Sequence, residues 1–271
     1  MSLKLLSVLF FINLSIAPLF SAPTEFVVVV PSYNNEKWCI KNLTSIVKQS
    51  YPHWRLYYID DASTDKTGQL VDNFIKKRSL QSKCTIIHNE KRQGSLANIY
   101  EAIHKIEPHK VILIVDGDDR LAHSQALDIL ASVYADKNVW LTYGNFVSDP
   151  AGWGSCCEFI PPSLSHARGF RTNRWVFGHL RTFYAKLFQL IKKEDLQLKG
   201  EFFPMTGDMA FMFPMAEMAS QDHIRFIPDT LYIYNVANPI NDHRVNEPLL
   251  KSLDGHIRNM ALYQALEKLF D

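Results

Sequence analysis

The sequence predicts an α/β protein with a mostly parallel central sheet and helices on both of its faces. Four short apolar runs, rich in β-branched or aromatic residues, alternate with helix-length segments between residues 26 and 119. This alternation is the pattern of consecutive βαβ units. The chain has 271 residues, of which 47% are apolar and 21% are charged. These values suit one globular domain with a single large core.

The apolar runs predict four buried strands, at residues 26–30, 54–59, 84–87 and 111–115. Three helices are expected between them. The first carries Ile40, Leu43 and Ile46 at helical spacing and ends before Tyr51-Pro52. The second is capped by Ser63 or Thr64 and runs to about residue 77. The third follows a polar loop at 88–94.

The second half of the chain has a less regular pattern. Helices are predicted at 125–134, 180–191 and 208–219, the last with a kink at Pro214, and a further helix after Pro248. Strands are predicted at 139–146 and 231–236. The intervening segment 149–170 contains glycines, prolines and two adjacent cysteines, which is typical of a long loop.

Composition excludes several classes of protein. The net charge of +1 argues against a broad nucleic-acid surface, so no nucleic-acid partner is expected. Four cysteines without a CxxC spacing argue against a zinc site or a disulfide framework. No GxGxxG follows the first strand, which argues against a Rossmann dehydrogenase.

The N-terminus predicts a targeting segment. Lys4 precedes an apolar run at residues 5–20, and Ser21 and Ala22 follow it. The run is short for a transmembrane helix, which needs ~20 apolar residues. We therefore expect a signal peptide or membrane-anchor-like segment at 1–23, a folded domain at 24–271, and export or membrane association, with a cytoplasmic location as the alternative. Prolines after both small-residue sites argue against cleavage.

Three polar clusters follow predicted strands. In open α/β sheets, ligands bind at the carboxyl ends of the strands, so these clusters are expected to share one edge. Asp116-Gly117-Asp118-Asp119 places carboxylates two residues apart, which suits a hard divalent cation. The alternative is a solvated acidic turn.

Asp60-Asp61 and Tyr33 form the other two clusters. A carboxylate after the second strand can accept hydrogen bonds from a nucleobase or a ribose, or it can form an Asx turn that caps a helix. Tyr33, after the first strand, can stack on a base or simply cover the sheet edge. The residues alone leave both alternatives open.

Five motifs in order resemble the family 2 glycosyltransferases of GT-A fold. They are P-x-Y-N at 31–34, Q-x-Y-P at 49–52, D-D-x-S-x-D-x-T at 60–67, R-x-G-x-x-x-N at 92–98 and D-x-D at 116–118. The resemblance covers residues 27–119 and becomes weaker afterwards. It implies a metal-dependent, inverting hexosyltransferase that moves a sugar from a UDP- or GDP-type donor to a hydroxyl of a carbohydrate, lipid or protein. Residues 24–120 would form the nucleotide-sugar half and 121–271 the acceptor half.

The resemblance also implies roles for individual residues. Pro31 and Tyr33 would line the base pocket, and Asp61, or otherwise Asp60, would bind the base. Arg92, Asn98 and Asp116 would lie near the nucleotide or the donor sugar. Asp118 would ligate Mn²⁺ or Mg²⁺, which would hold the diphosphate.

Two downstream residues complete the expected site. Many members of the family have a Glu-Asp pair at the start of a helix; here Gly207-Asp208 stands in its place, without the glutamate. Asp208 is the candidate catalytic base, or otherwise an N-cap. His243 is a candidate for the metal or the diphosphate, or otherwise part of a surface loop.

Arginines around His179 are candidates for an anion site or a solvated basic loop. They are Arg168, Arg171, Arg174 and Arg181.

Two other functions stay open on the sequence. A nucleotidyltransferase would also use a parallel sheet, a base pocket and acidic metal ligands, although its usual glycine-rich loop is missing after the first strand. A catalytically inactive nucleotide- or glycan-binding relative is the third alternative, because the Glu-Asp pair is incomplete.

Overall fold

The fold is an α/β architecture around one eight-stranded sheet, as predicted. The computed structural model describes residues 22–154, 157–220, 222–240 and 246–270. The sheet has the strand order β3-β2-β1-β4-β7-β6-β10-β5, and β8 and β9 form a separate small hairpin. The strands are β1 Phe26–Ser32, β2 Trp54–Asp60, β3 Cys84–His88, β4 Val111–Ile114, β5 Arg120–Leu121, β6 Leu141–Asp149, β7 Thr182–Tyr184, β8 Gln197–Leu198, β9 Glu201–Phe202 and β10 Ile224–Asn235.

Helices cover the sheet. They are α1 Cys39–Val47, α2 Thr67–Lys77, α3 Ser95–Ile103, α4 Ala126–Val133, α5 Pro162–His166, α6 Ala185–Gln189, α7 Gly207–Met218 and α8 Glu247–Arg258, with 3₁₀ turns at Gly169–Thr172 and Lys193–Leu196.

The N-terminal half of the chain contributes four neighbouring parallel strands to the sheet. β1 lies between β2 and β4 and runs parallel to both, and β3 continues the parallel order beyond β2. Residues 26–30 of β1 are at most 3% exposed because helices pack on both faces of the strand. The unbroken apolar run of β1 therefore predicted a central, doubly covered strand correctly.

β1 extends through Pro31, where the sequence predicted a break. The carbonyl oxygens of Val29 and Pro31 accept from Val115 and Gly117, on the side of β4. The proline nitrogen faces the same side, and β4 has already ended there at Ile114. Pro31 therefore stands next to the end of β1, where the regular pairing with β4 stops, which is a position at which a strand tolerates proline.

The predicted helix at 180–191 is wrong in its first part. β7 occupies residues 182–184 and runs antiparallel between β4 and β6, and only the short α6 follows it. Thr182 and Phe183 are fully buried. A short apolar segment that is buried on every side has no periodicity that separates a strand from a helix.

Several other boundaries differ from the prediction. α2 begins at Thr67, because Asp65 accepts from the Thr67 N–H, whereas the Ser63 hydroxyl accepts from the Asn34 N–H. The predicted loop at 149–170 contains α5. α7, by contrast, matches the predicted helix at 208–219 within one residue at each end, with Pro214 inside it.

The predicted targeting segment at 1–23 lies almost wholly outside the described residues. Among the residues that are described, no helix is long and apolar enough to cross a membrane. Export or membrane association stays a prediction.

A buried ion pair joins α7 to the C-terminal segment. Arg171 donates to both carboxylate oxygens of Glu217, at 2.5 and 3.0 Å, and to the Ile257 carbonyl. Glu217 also accepts from the Tyr263 N–H at 2.9 Å. The Arg171 side chain is 4% exposed and that of Glu217 is 0% exposed. Arg171 therefore belongs to the core, and the expected solvated basic loop around His179 is not found at this residue.

We expect Arg171→Met to destabilise the fold by about 3–5 kcal/mol, because it leaves the buried Glu217 carboxylate without its partner. Urea unfolding followed by circular dichroism measures the change. Lys251→Met is the control, since it removes the exposed Lys251–Glu247 pair within α8 and should leave the midpoint unchanged. Equal midpoints for the two variants would contradict a structural role for the Arg171–Glu217 pair.

Candidate active site

A cavity of about 1010 Å³ opens at the carboxyl ends of β1, β2 and β4. Most of the predicted site residues line it together. They are Pro31, Tyr33, Asp61, Arg92, Asn98, Asp116, Asp118 and Asp208. Residues far apart in the sequence therefore meet in one cleft, as the parallel arrangement requires.

Hydrogen bonds from α1 hold the acidic turn at residues 116–119 in place. The Asn42 side-chain amide donates to the carbonyl oxygens of Asp116, at 2.9 Å, and Asp119, at 3.0 Å. Asn42 is fully buried. A Cβ on Gly117 would lie 2.4 Å from the Ser32 hydroxyl oxygen, so the turn reaches this depth only with glycine.

β10 holds the same turn from the other side. The Tyr232 hydroxyl donates to Asp119 at 2.7 Å and accepts from the Asp116 N–H at 3.1 Å. The Asn235 N–H donates to the second oxygen of Asp119 at 2.6 Å. Burial and the neighbouring Asp118 and Asp116 carboxylates raise the pKa of Asp119. Asp119 is thus the structural anchor of the turn.

Asp118 points to the cavity and suits a metal ligand. One of its oxygens accepts from the Asn238 amide at 2.7 Å, and burial raises the pKa of its carboxyl. Mg²⁺ and Mn²⁺ bind through one or two carboxylates together with substrate phosphates. Asp118, with Asp116 in the same cavity, fits that donor set. Among the described residues, no group of three His, Cys, Asp or Glu side chains forms a ready-made metal site.

Asp61 anchors the loop between β3 and α3. It accepts from the Asn89 side chain and from the Gln93 and Gly94 N–H groups, each at 2.8 Å. Burial alone would raise the pKa of Asp61, but hydrogen bonds from the Gln93 N–H, the Asn89 side chain and the Gly94 N–H outweigh burial and lower it. Three of the carboxylate's roughly four acceptor positions are filled by the protein, so about one is left for a ligand.

The structure places Asp60 outside the cavity, so it cannot take the base-binding role offered as the alternative to Asp61. Successive side chains of an extended segment point in opposite directions. The Asp60 carboxylate turns to His88, at 3.2 Å, and to the Ser63 N–H. His88 is partly buried, which would lower its pKa, but Asp72 and Asp60 raise it.

Two groups in the cavity have polar or cationic surface available. The Arg92 guanidinium lies 4.0 Å from the centre of the Tyr33 ring. Asn98 is 5% exposed, and its side-chain nitrogen has no hydrogen-bond partner among the described residues. A buried, unpaired amide at the wall of a cavity is suited to a ligand oxygen.

Asp208 begins α7 and is paired with Arg181. The guanidinium donates to one carboxylate oxygen at 2.9 Å, while the other accepts from the Met209 N–H at 2.9 Å. Arg181 is itself held by the Phe177 carbonyl and is 5% exposed. Both oxygens are oriented before any substrate arrives. Thr206 is the N-cap of α7, so Asp208 lies in the first turn and its bond to the adjacent Met209 is not an N-cap contact. Its role as the base stays a prediction.

His243 lies outside the described residues, so its predicted metal role stays a prediction. Three residues that build the site, Asn42, Tyr232 and Asn238, were not predicted, and Arg181 was predicted without its partner Asp208. Their partners are 27 to 120 positions away in the chain. No local motif indicates such pairings.

A family model, "Glycosyl transferase family 2", matches residues 27–197, which is more than half of the chain. The chain belongs to this family. The resemblance found in the five sequence motifs is therefore confirmed. The pneumococcal glycosyltransferase GlyG, from Streptococcus pneumoniae, is 27% identical over 221 residues, which are 76% of this chain and 69% of that protein.

The poly(ribitol-phosphate) β-N-acetylglucosaminyltransferase TarS of Staphylococcus aureus is 30% identical over 111 residues. That match covers 40% of this chain and 19% of TarS, so the chain spans only part of its length.

Solved structures show the same fold. The TarS fragment 1–349 in complex with UDP-GlcNAc superposes with a TM-score of 0.56 and 19% identity, over 78% of this chain and 58% of the fragment. The mannosyltransferase PcManGT of Pyrobaculum calidifontis, in complex with GDP-Man and Mn²⁺, gives a TM-score of 0.58 and 19% identity, over 91% of this chain and 69% of that one. The GT-A fold is thus confirmed.

We expect Asp61→Asn to loosen the loop at 89–94, since an amide group would then face backbone N–H groups that now donate to a carboxylate. A buried donor without a partner costs about 1–3 kcal/mol. Hydrogen exchange of the Gln93 and Gly94 amides should accelerate at least about tenfold, because 1.4 kcal/mol corresponds to a factor of ten.

Asp60→Asn is the matched control for this measurement. Its carboxylate contacts His88 and Ser63 and none of the loop amides at 93 and 94. Equal exchange of these amides in both variants would show that Asp61 does not hold the loop.

Proposed function

We propose that this chain transfers a hexose from a nucleotide-sugar donor, of the UDP or GDP type, to an acceptor hydroxyl with inversion at the anomeric carbon. One observation carries the proposal: Asp61, Asp118 and Asp208 line a single cavity at the carboxyl ends of the parallel strands. Each of the three suits a different task, namely base recognition, metal binding and proton removal. Family membership adds independent support.

The donor would lie against the N-terminal half, residues 24–120. Tyr33 offers a ring face to the base, with Pro31 beside it. The remaining acceptor position of Asp61 and the unpaired amide of Asn98 provide one acceptor and one donor for polar atoms of the nucleotide. Arg92, near Tyr33, supplies positive charge.

Asp118 would hold Mn²⁺ or Mg²⁺, with Asp116 beside it toward the ribose or the donor sugar. A bound divalent cation stabilises the charge that builds up on a leaving diphosphate. The Mn²⁺ in the PcManGT complex is consistent with this choice of cofactor. Asn238 fixes one oxygen of Asp118 and leaves its carboxylate oriented.

Asp208 would act as the base. It takes the proton of the acceptor hydroxyl; the hydroxyl oxygen then forms a bond to the anomeric carbon, and the bond from that carbon to the diphosphate oxygen breaks. The electron pair leaves with the diphosphate. Displacement from the opposite face inverts the configuration. Arg181 holds Asp208 in place for this step.

The acceptor would enter through residues 121–271, and it is a carbohydrate, lipid or protein hydroxyl. The inactive-relative alternative rests on Gly207 in the place of a glutamate. Such a protein would bind nucleotide without turnover. A nucleotidyltransferase would instead release diphosphate from a nucleoside triphosphate.

Nucleotide sugars are expected to raise the melting temperature in the presence of Mn²⁺, because a ligand at a hundred times its Kd stabilises the folded state by ~2.7 kcal/mol. Differential scanning fluorimetry with a panel of UDP- and GDP-sugars measures the shift. Asp118→Asn should remove the Mn²⁺-dependent part of the shift.

Asp229→Asn is the control for Asp118→Asn, since Asp229 is exposed and lies outside the cavity. If no nucleotide raised the melting temperature, or if Asp118→Asn kept the full metal dependence, the donor site would be assigned wrongly.

Asp208→Asn should lower the rate of sugar transfer by about 10²–10⁴-fold, the usual effect of losing a general base. Nucleotide affinity, measured by calorimetry, should stay within about twofold, because the substitution leaves the donor half intact. Asp229→Asn again serves as the control and should transfer at the normal rate. Normal turnover by the Asp208→Asn variant would exclude Asp208 as the base, and binding without turnover in the unmutated protein would favour the inactive relative.

A further inference from the structure

Four ring side chains form one continuous wall on the acceptor side of the cavity. We call Phe146, Trp153, His179 and Tyr234 the aromatic wall. All four line the cavity. Phe146 lies at the centre, with ring-centroid distances of 5.9 Å to Trp153, 5.9 Å to His179 and 5.4 Å to Tyr234. These spacings are those of aromatic contacts in protein cores.

Trp153 is 51% exposed although its neighbours in the wall are half-buried or buried. Its backbone is fixed: the carbonyl of Trp153 accepts from the Ser148 N–H at 2.9 Å and from the Ser148 hydroxyl at 3.0 Å. The indole is therefore held at the cavity with much of its apolar surface in water. A fixed, exposed aromatic ring beside a reaction site is a typical ligand contact.

The wall carries little charge. His179 is 8% exposed, and burial and the nearby Arg181 keep its pKa well below the usual value, so the ring is neutral. Arg181, the cation nearest to it, is already paired with Asp208.

The cavity as a whole is acidic. Among the described residues, five carboxylates and two guanidinium groups line it. A phosphorylated or carboxylated acceptor would meet this excess of negative charge without an available cation on the wall. A neutral ring with C–H groups on one face and hydroxyls at its edge meets no such repulsion.

The volume of the cavity is consistent with two bound ligands. Ligand sites usually measure about 300–1,000 Å³, and this cavity lies at the top of that range. The proposed donor residues lie on the N-terminal side, and the aromatic wall and Asp208 are among the residues that line the rest. An acceptor ring on the wall would therefore share the cavity with the candidate base.

We propose that the aromatic wall is the acceptor subsite and that it binds an uncharged pyranose ring, stacked on Trp153. That the bound sugar is an acceptor rests on the proposed function, but binding of a neutral sugar can be tested without any donor. His179 and Tyr234 would contact the ring's edge. The wall thus selects a neutral glycan over an anionic one.

The test compares two ligands that differ at one carbon. Methyl β-D-glucopyranoside and methyl β-D-glucuronide are titrated into the protein, with other neutral methyl hexopyranosides alongside, and binding is followed by saturation-transfer-difference NMR. At least one neutral glycoside should bind in the millimolar range, and the glucuronide at least about fivefold more weakly than the glucoside, since a carboxylate replaces a hydroxymethyl group.

Variants assign the binding to the wall. Trp153→Ala should weaken binding of the neutral glycoside at least about fivefold, and Trp153→Phe should keep it within about twofold because a ring remains. Phe159→Ala is the matched control, as Phe159 is 62% exposed in the same segment but does not line the cavity. With an active donor, Trp153→Ala should raise the acceptor KM and leave the donor Kd unchanged.

The proposal is overturned if no neutral glycoside binds, if the glucuronide binds as tightly as the glucoside, or if Trp153→Ala binds like the unmutated protein. Failure of the donor panel alone would overturn the proposed transfer reaction and leave the sugar-binding wall standing, so the two failures are distinguishable.

Discussion

The candidate site depends on the buried hydrogen bonds that hold the acidic turn at 116–119. α1 binds the turn's carbonyl oxygens through Asn42, and β10 binds the Asp119 carboxylate through the Tyr232 hydroxyl and the Asn235 N–H. Burial raises the pKa of Asp119, and repulsion from the Asp118 and Asp116 carboxylates of the same turn raises it further. Hydrogen-bond donors in fixed positions offset the free-energy cost of burying these carboxylates. The result is a rigid concentration of negative charge where a cation would be most strongly attracted.

The same interactions connect the two halves of the cavity. The Tyr232 ring stacks on His179 at 4.4 Å, so the residue that anchors the acidic turn also supports the aromatic wall. α1 comes from the N-terminal half of the chain and β10 from the C-terminal half. A substitution in the aromatic wall is therefore expected to shift the acidic turn through the packed side chains between them, since close-packed interiors transmit strain.

The Asp208 carboxylate is oriented before any acceptor binds. The Arg181 guanidinium fixes the carboxylate, and a fixed base reaches its substrate without losing side-chain entropy. The Asp208 side chain keeps 34% exposure on the cavity side, whereas that of Arg181 has 7%. The exposed part of the carboxylate faces the space that an acceptor would occupy.

The sequence by itself determined the fold class, the strands of the parallel half and eight of the residues that line the cavity. These features follow from local sequence, because β-branched runs form buried strands. The carboxyl ends of parallel strands meet at one edge of the sheet, so Asp61, Asp116 and Asp118 come together there. The tertiary structure decided the rest. It inserted β7 between β4 and β6, where burial on all sides removes the periodic signal. It turned Asp60 away to His88 and paired Arg181 with Asp208 and Asn238 with Asp118. Those pairings join residues far apart in the chain, and only the packing of the whole domain brings them within hydrogen-bond distance.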